Sequence, residues 1–540
     1  MNVDTEAQPV VPPRARGRRA RAHWLLVCVV AALLPLMVGL SRDFGVTWDE
    51  LPRQRFGERM LEYYQGQYAI DRFQTDGSRL YGGLFDLSAV GLQHLLPWDT
   101  YLVRHGLNAF CGWLGIVACA LLAARLAGPW AGLLAAGLAV TAPRYFGHSM
   151  NNPKDIPFAA LGAWSLYAMS GIRGTYPYLP LKVAAGIGLA IGLSLSVRPG
   201  GLLFVAYAAG LVLAAVVSNR EHNLRRLAAT AGSFVVLTFV ATTVPMPFWP
   251  WLQTHPYIGL IDAVRGVSDV GWNGALLFDG RVVRASEVPW NYVPVWLVYT
   301  TPIVVLAGAL LSVGRLSTGW RNAAPIAALW FAVLFPITYV ILRQSTIYDG
   351  IRQLLFVMPP LFVVSALGWS WCLTALAGWP RALGAGVLAL GLLEPIVFQG
   401  RNHPNQIVYF NPLLGGPQNA IQRFDMDYWG NCLYQAMQHA APLAREARMP
   451  IAVSGRQWRQ MLLSAPRVPQ VIVTNNDHLA HHLELVLLRG SKNEVVQSMH
   501  RTDIVYKVTT ADGTPLCTAV PGPRYAELAS RLQRTRELSR

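Results

Sequence analysis

Residues 24–53 read WLLVCVVAALLPLMVGLSRDFGVTWDELPR, an apolar run followed by two adjacent acidic residues. The run from 24 to 40 is long enough to serve as a first membrane span. Asp49 and Glu50 then lie at the membrane surface, where Thr47 or Asp49 can cap a helix and Pro52 fits its first turn. The stretch predicts a membrane helix, a short external link and a second helix that begins beside two carboxylates.

The second helix is predicted to be amphipathic and to lie along the membrane surface, because Phe56, Met60 and Tyr64 recur at helical spacing. Two interpretations of the acid pair stay open. In the first, Asp49 is a catalytic base at the mouth of a membrane cavity. In the second, both charges only stabilise the start of a helix, as acidic residues commonly do.

The composition indicates a protein with many membrane spans. Of the 540 residues, 53% are hydrophobic and only 14% are charged, whereas soluble domains carry about 25% charged residues. The net charge of +16 comes from basic residues scattered between apolar runs, which favours contact with anionic lipid over nucleic acid. The sequence contains no CxxC motif or Cys/His cluster that would predict a structural zinc site. Cys432 and Cys517 could pair, although nothing in the sequence requires it.

The apolar runs predict a mainly α-helical, polytopic fold of about eleven transmembrane helices with external juxtamembrane helices. Residues 1–23 are rich in arginine and are predicted to be a disordered, basic cytoplasmic tail. Residues 24–398 form the membrane domain, and residues 399–540 form a small external α/β domain. The candidate spans are 24–40, 102–124, 127–142, 156–172, 181–197, 200–218, 227–246, 292–312, 323–342, 351–374 and 380–398.

The charge distribution predicts the orientation in the cell (inner) membrane. A basic N-terminus and short basic turns place the N-terminus in the cytoplasm, and an odd number of spans then places the C-terminal domain outside, in the periplasm. The external side carries the long loops. Several arginines and lysines nevertheless occur in these loops, although the charge bias disfavours basic residues on the external side. Binding of a phosphate would explain their presence.

The second external loop, RYFGHSMNNPKD, concentrates charged residues between two apolar runs. Arg144 and Lys154 could hold a phosphate, and Asp155 or His148 could orient a group, bind a metal ion or, for Asp155, cap the next helix. Arg198, at the tip of the turn SVRPGG, could contact the same anion or extend toward the membrane interface.

Two aromatic motifs add to the predicted cavity. In YDGIRQ, Arg352 has the planar fork that binds two phosphate oxygens, with Tyr348 and Asp349 close by. In PWNYVP, Trp290 and Tyr292 either line the cavity or anchor the chain at the membrane interface. Together with Trp48, these residues make up the predicted substrate cavity.

Taken in chain order, the motifs resemble the GT-C glycosyltransferases of the protein O-mannosyltransferase (family 39) and aminoarabinose-transferase type. The resemblance covers about residues 24–430. The matching parts are Trp-Asp-Glu at 48–50, Asn-Pro-Lys-Asp at 152–155, Pro-Trp-x-Tyr at 289–292, Tyr-Asp-Gly-x-Arg at 348–352, Tyr-Phe-Asn-x-x-x-Gly-Gly at 409–416 and Asp-Tyr-Trp-Gly at 427–430. The tail has no pattern that matches the sugar-binding repeats of the family.

The resemblance implies an inverting, mannosyltransferase-like enzyme of the cell envelope. It would move a sugar from a polyprenyl-phosphate donor to a hydroxyl of a lipid, glycan or protein acceptor at the external membrane face. The role of base falls on Asp49, with Glu50 beside it, and the second-loop acid of the family corresponds to Asp155. The basic residues expected to bind the donor phosphate are Arg144, Lys154, Arg198 and Arg352.

Cofactors and partners follow from the same resemblance. Some members of the superfamily use a divalent metal ion and others do not. Membrane lipids are expected partners and nucleic acid is not. The alternative from another class is a membrane transporter or a lipid-linked sugar flippase. Related halves would favour that alternative, and the sequence has none that can be recognised.

Overall fold

Long apolar helices dominate the fold, as the sequence predicts. The computed structural model describes residues 13–73, 77–172, 179–220, 222–256, 258–268, 272–317, 319–475, 480–489 and 492–538. The first ten helices are α1 (Pro13–Leu40), α2 (Glu50–Tyr64), α3 (Leu84–Leu95), α4 (Thr100–Ala127), α5 (Pro129–Val140), α6 (Pro143–Asn151), α7 (Asp155–Met169), α8 (Leu181–Leu195), α9 (Leu202–Ser218) and α10 (Leu224–Thr243).

The second half of the membrane domain contains a hairpin and further helices. They are α11 (Pro250–Thr254), α12 (Ile258–Ser268), strands β1 (Ala275–Phe278) and β2 (Arg281–Arg284), α13 (Tyr292–Thr300), α14 (Ile303–Gly314), α15 (Trp320–Leu342), α16 (Met358–Ala375) and α17 (Gly378–Arg401). Short 3-10 helices join several of these elements, and one of them, Arg352–Val357, leads directly into α16.

Seven helices in the described parts of the chain are long and apolar enough to cross a membrane, which makes this a multi-pass membrane protein. They are Ala20–Asp43, Thr100–Ala127, Pro199–Ser218, Leu224–Phe248, Ala323–Leu342, Arg352–Ala375 and Gly378–Arg401. Two shorter apolar helices, α5 and α8, fall in other predicted spans. The count of eleven spans stays a prediction.

Two boundaries differ from the sequence expectation. The helix α1 begins at Pro13, so the disordered tail predicted for residues 1–23 is corrected over 13–23, and residues 1–12 lie outside the described residues. Proline suits a first helical turn, and the arginines and alanines after it are good helix formers. The predicted span 292–312 is bent by 111° between α13 and α14, where Pro302 interrupts the helix.

The membrane helices pack closely where small residues meet. A Cβ atom added at Gly368 in α16 would lie 1.9 Å from the carbonyl oxygen of Gly308 in α14. The two backbones can therefore approach only because neither residue carries a side chain. The helix α16, which follows Arg352, is among the most buried helices, and 83% of the residues in its most apolar stretch are buried. Arg352 is thus attached to a rigid central element.

The C-terminal part forms the small α/β domain that the sequence predicts. Its elements are α18 (Gly416–Ala420), α19 (Cys432–Glu446), β3 (Ile451–Ser454), α20 (Trp458–Ser464), β4 (Val471–Val473), β5 (Leu483–Leu487), α21 (Lys492–Met499), β6 (Tyr506–Thr509), β7 (Pro515–Pro521) and α22 (Tyr525–Leu538). The strand order is β4-β3-β5-β7-β6, and β3 runs parallel to β4 and β5. The carboxyl ends of these three strands therefore share one edge.

The C-terminal domain is joined to the loop between α1 and α2 by buried hydrogen bonds. The side chain of Asn431 accepts from the backbone N–H of Gly45 at 3.0 Å and donates to the carbonyl of Pro404 at 2.9 Å. Gln460 donates to the carbonyls of Val46 and Trp429. These bonds hold the segment that precedes Asp49 against the tail.

A disulfide between Cys432 and Cys517 joins α19 to β7, so the pairing that the sequence left open is present.

Replacing both cysteines with serine should lower the free energy of unfolding by about 2–5 kcal/mol, because a long loop of the unfolded chain is no longer closed. Thermal unfolding of the purified protein measures the loss. The matched control replaces Cys28 and Cys372, which are free, and an equal loss in that control would contradict a specific role of the disulfide.

Candidate active site

Arg352 lies where three acidic segments of the chain meet. Its Nη1 donates to Asp49 Oδ2 at 3.1 Å and to Asp155 Oδ2 at 3.4 Å. Its Nε donates to Asp349 Oδ2 at 3.1 Å. The Arg352 side chain is only 4% exposed, and a buried cation of this kind requires such carboxylate partners. We call Asp49, Asp155, Asp349, Lys154, Arg198, Arg352 and Arg489 the ionic cluster.

The turn before Arg352 explains how Asp349 reaches it. Asp349 and Gly350 both have a positive φ, of +58° and +66°, a conformation that disfavours Asp349 but suits Gly350. The hydroxyl of Tyr292 accepts from the backbone N–H of Gly350 at 3.1 Å. The left-handed turn is thereby fixed, and it directs the carboxylate of Asp349 back onto Arg352.

Asp49 is the carboxylate of the cluster that is most open to solvent. Its side chain is 22% exposed, against 1% for Asp155, and its Oδ2 also lies 3.1 Å from Lys154 Nζ. Burial raises the pKa of Asp49, but Lys154 and Arg352 outweigh that effect, so the pKa lies below its ordinary value. Asp49 is therefore ionised at neutral pH and held between two cations.

Asp155 begins α7 and lies beneath Asp49. Asn152 donates to the Asp155 carboxylate at 3.0 Å, and Arg198 forms a salt bridge with it. The ring of Tyr81 lies 5.2 Å from Lys154 Nζ and 6.0 Å from the guanidinium of Arg198. Lys154, Arg198 and Arg489 are 15%, 12% and 21% exposed, so the solvent-facing part of the cluster consists of three cations and one carboxylate.

The C-terminal domain supplies Arg489, which the sequence interpretation missed. Arg489 follows β5, and its Nη2 donates to Asp349 Oδ1 at 2.7 Å while its Nη1 donates to the carbonyl of Tyr428 at 2.6 Å. Tyr81 was also missed. An arginine after an apolar strand and a tyrosine in a long loop are too common for the sequence to mark either one as part of a site.

Glu50 does not join the ionic cluster. Its carboxylate accepts from the backbone N–H of Thr47 at 2.7 Å and lies 3.0 Å from His105 Nε2. The side chain is 1% exposed. The Glu50 carboxylate thus bonds back to the segment that precedes α2. The two acids, predicted to act side by side, therefore have different surroundings: Asp49 faces the cations and Glu50 fixes the start of α2.

Arg144 is separated from the cluster by aromatic side chains. Its guanidinium lies 4.9 Å from the Trp296 ring and 4.8 Å from the Phe410 ring, and its Nε donates to the carbonyl of Tyr409 at 3.0 Å. The residue is 4% exposed and forms no salt bridge within the described residues. The structure thus does not bring Arg144 into contact with Lys154 or Arg352, with which the sequence analysis grouped it around one anion.

His148 fixes the neighbouring loops. Its Nδ1 accepts from Asn152 at 3.2 Å, which leaves Nε2 to donate to the Tyr428 hydroxyl at 2.8 Å. Burial lowers the pKa of His148 to about 3, so the ring is neutral at physiological pH. Within the described part of the chain, no group of three or more His, Cys, Asp or Glu side chains is arranged to hold a metal ion.

The predicted cavity aromatics divide into two groups. Trp48 is 39% exposed and its Nε1 donates to the carbonyl of Tyr428 at 3.1 Å, while the Tyr348 ring lies 4.9 Å from the Arg352 guanidinium. Both border the cluster. Tyr292 is buried and supports the turn at Gly350. Trp290 is 74% exposed, as an aromatic anchor at a membrane interface would be.

Asp425 gives a pH-dependent prediction. Burial raises its pKa to about 6, although Arg489 acts in the opposite direction. A carboxyl whose pKa is higher in the folded state stabilises the fold only at low pH, and that contribution is lost as the pH rises through about 6. Asp425→Asn should therefore be more stable than the parent protein at pH 7.5, by roughly 1–3 kcal/mol, and about equal to it at pH 4.

Thermal unfolding of both proteins across this pH range measures the effect. A variant that is less stable than the parent protein at pH 7.5 would contradict the prediction, because it would mean that the ionised Asp425 is stabilised by its pairing with Arg489.

No protein-family model matches the chain, and no curated protein sequence matches it. Among solved structures, it is similar to ArnT from Cupriavidus metallidurans bound to undecaprenyl phosphate, with 14% identity, a TM-score of 0.48, and coverage of 92% of this chain and 97% of that one. It is also similar to the archaeal oligosaccharyltransferase AglB from Archaeoglobus fulgidus in complex with an inhibitory peptide and a dolichol-phosphate, with 12% identity, a TM-score of 0.45, and coverage of 83% of this chain and 64% of that one. At such identities the likeness concerns the fold.

Proposed function

We propose that this protein is an inverting glycosyltransferase that moves a sugar from a polyprenyl-phosphate donor to an acceptor hydroxyl at the external membrane face. The observation that carries the proposal is the state of Asp49. It is a partly exposed carboxylate held between Lys154 and Arg352, above a buried layer of further ion pairs. This arrangement combines a candidate base with candidate phosphate ligands in one site.

The cations of the cluster fit a phosphate at the membrane surface. Lys154 and Arg198 are partly exposed, and both lie near the Tyr81 ring. A phosphodiester carries one negative charge, which the excess of cations on this face would balance. A lipid-linked donor keeps its chain in the bilayer, so its phosphate would lie at the membrane surface, where the proposal places these side chains.

The proposed reaction is a single displacement. The acceptor oxygen forms a bond to the anomeric carbon while the bond from that carbon to the phosphate oxygen breaks, and the electron pair leaves with the phosphate. Asp49 accepts the hydroxyl proton as the new bond forms. Lys154, Arg198 and Arg352 stabilise the charge that develops on the departing polyprenyl phosphate.

Donor binding would also increase the basicity of Asp49. With no donor bound, Lys154 and Arg352 hold the pKa of Asp49 below its ordinary value. A phosphate that contacts Lys154 competes with Asp49 for that cation, so the carboxylate becomes a better proton acceptor. The donor would therefore bind before the acceptor reacts.

Glu50 and Asp155 act indirectly in this proposal. Glu50 fixes the first turn of α2 through Thr47 and His105, which holds Asp49 at the helix start. Asp155 holds Arg198 and Arg352 in place. In this proposal Arg144 packs against aromatic rings and does not contact the donor phosphate.

The disulfide supports the proposed orientation. Disulfides persist in oxidising compartments and are rare in the cytosol. A bond between Cys432 and Cys517 therefore favours a C-terminal domain on the external, periplasmic side, which agrees with the basic N-terminus being cytoplasmic. The ionic cluster, which includes Arg489 of that domain, would then face the same side.

The first test of the proposal is Asp49→Asn. Purified protein in nanodiscs is offered a panel of radiolabelled undecaprenyl-phosphate sugars, and release of undecaprenyl phosphate is measured. The variant should turn over at least about a hundredfold more slowly, the usual scale for loss of a general base. Its affinity for undecaprenyl phosphate should be unchanged or higher, because one negative charge has been removed from the site.

Glu50→Gln is the matched control for the adjacent acid. It should lower the melting temperature, because buried His105 loses its carboxylate partner. The folded fraction should keep most of its turnover. Normal turnover in Asp49→Asn, or an equal loss of turnover in folded Glu50→Gln, would contradict the assignment of Asp49 as the base.

The second test concerns the phosphate. Lys154→Gln and Arg198→Gln should each weaken binding of undecaprenyl phosphate by about 10- to 150-fold, because a hydrogen bond to a charged group contributes about 1.5–3 kcal/mol. The combined effect of Lys154→Gln with Arg352→Gln should not be additive, since both residues bind Asp49. Arg144→Gln is the matched control and should leave the affinity unchanged. Loss of affinity only in Arg144→Gln would move the phosphate site away from the cluster.

A further inference from the structure

Trp272 and Tyr348 form a pair of rings at the edge of the ionic cluster. Their centroids are 4.5 Å apart and their planes are inclined by 41°. The guanidinium of Arg352 lies over the Tyr348 ring at 4.9 Å, and the same guanidinium binds Asp49 at 3.1 Å. A continuous series of contacts therefore leads from Trp272 to the candidate base.

A neighbouring glycine leaves room for the Trp272 ring. A Cβ atom added at Gly274 would lie 2.3 Å from Cζ2 of Trp272, so the ring occupies the space that any other residue would fill. Trp272 is nevertheless 38% exposed. A large apolar ring thus packs against Tyr348 beside a polar site while part of its surface stays open to solvent.

Trp290 shows what an anchoring tryptophan looks like in the same external region. It is 74% exposed and makes no ring contact within the described residues. Trp272, by contrast, is inclined against Tyr348 and packed beside Gly274. Anchoring at the membrane interface therefore accounts for Trp290 but leaves the ordered position of Trp272 without a role.

We propose that the Trp272–Tyr348 pair is a subsite that stacks on a pyranose ring of the substrates. One face of a pyranose presents several C–H groups with partial positive charge, and the face of an aromatic ring is negative. A partly exposed indole that reaches the candidate base through Tyr348 and Arg352 is suited to hold a sugar ring while its hydroxyl or its anomeric carbon faces Asp49. The ring belongs to the acceptor or to the donor sugar, and this subsite rests on the proposed glycosyl transfer.

The test uses full-length protein in nanodiscs and saturation-transfer difference NMR with methyl α-mannoside and methyl β-glucoside as probes. The parent protein should transfer saturation to the C–H protons of one pyranose face. Trp272→Leu should weaken binding by about 2- to 12-fold, the range that an aromatic contact contributes. Gly274→Val, which displaces the ring without removing it, should have a similar effect.

Trp290→Leu is the matched control and should leave the signal unchanged. Equal signals from the parent protein and Trp272→Leu, or an equal loss in Trp290→Leu, would overturn the subsite. Thermal unfolding of each variant establishes that it is folded, so that a loss of signal reports on the ring.

Two further arms identify the sugar and separate this proposal from the previous one. The first arm adds the undecaprenyl-phosphate sugar that the donor panel identifies. This addition should abolish the glycoside signal if the Trp272–Tyr348 subsite holds the donor sugar. It should preserve the signal if the subsite holds an acceptor sugar. Asp49→Asn should keep the glycoside signal in either case. Normal turnover by Asp49→Asn together with a signal that depends on Trp272 would contradict the proposed base while leaving the pyranose subsite standing.

Discussion

The contact of Arg352 with three carboxylates is the constraint on which the rest of the site depends. Asp49, Asp155 and Asp349 come from separate segments, and each of them binds the same guanidinium. Loss of one partner from a buried ion pair typically costs about 3–5 kcal/mol, because the remaining charge is left without compensation. The first loop, the start of α7 and the turn before α16 are therefore held in a mutual arrangement that none of them would adopt alone.

A second buried cluster explains why only one of the two adjacent acids faces this site. Asp86 forms salt bridges with both Arg53 and Arg104, and all three side chains are almost fully buried. These bonds tie α2 to α3 and α4. Successive residues of a helix point about 100° apart, so once α2 is held in this way, Glu50 points inward toward His105 while Asp49 stays on the side of the cations.

The sequence predicts local features of this site better than long-range ones. Asp49, Lys154, Asp155 and Arg352 could be selected because each is a charged residue beside an apolar run, where charge is costly without a purpose. The difference between Asp49 and Glu50 depends on the rotation of α2, and the separation of Arg144 depends on rings from distant segments. Arg489 meets Asp349 across 140 positions, and no local pattern encodes that contact. The helical fold and the C-terminal α/β domain were predicted from apolar run lengths, whereas the predicted span 292–312 ran through Pro302, at which the helix bends.

The position of Arg489 shows that the C-terminal domain contributes directly to the site. Both oxygens of Asp349 are occupied, one by Arg352 of the membrane domain and the other by Arg489 of the C-terminal domain. Arg489 follows β5, the strand that β7 holds by antiparallel pairing, and β7 is joined to α19 by the disulfide. The sheet therefore supports a cation that orients Asp349, and Asp349 in turn orients Arg352. The folding of the tail and the geometry around Asp49 are linked through one carboxylate that two domains share.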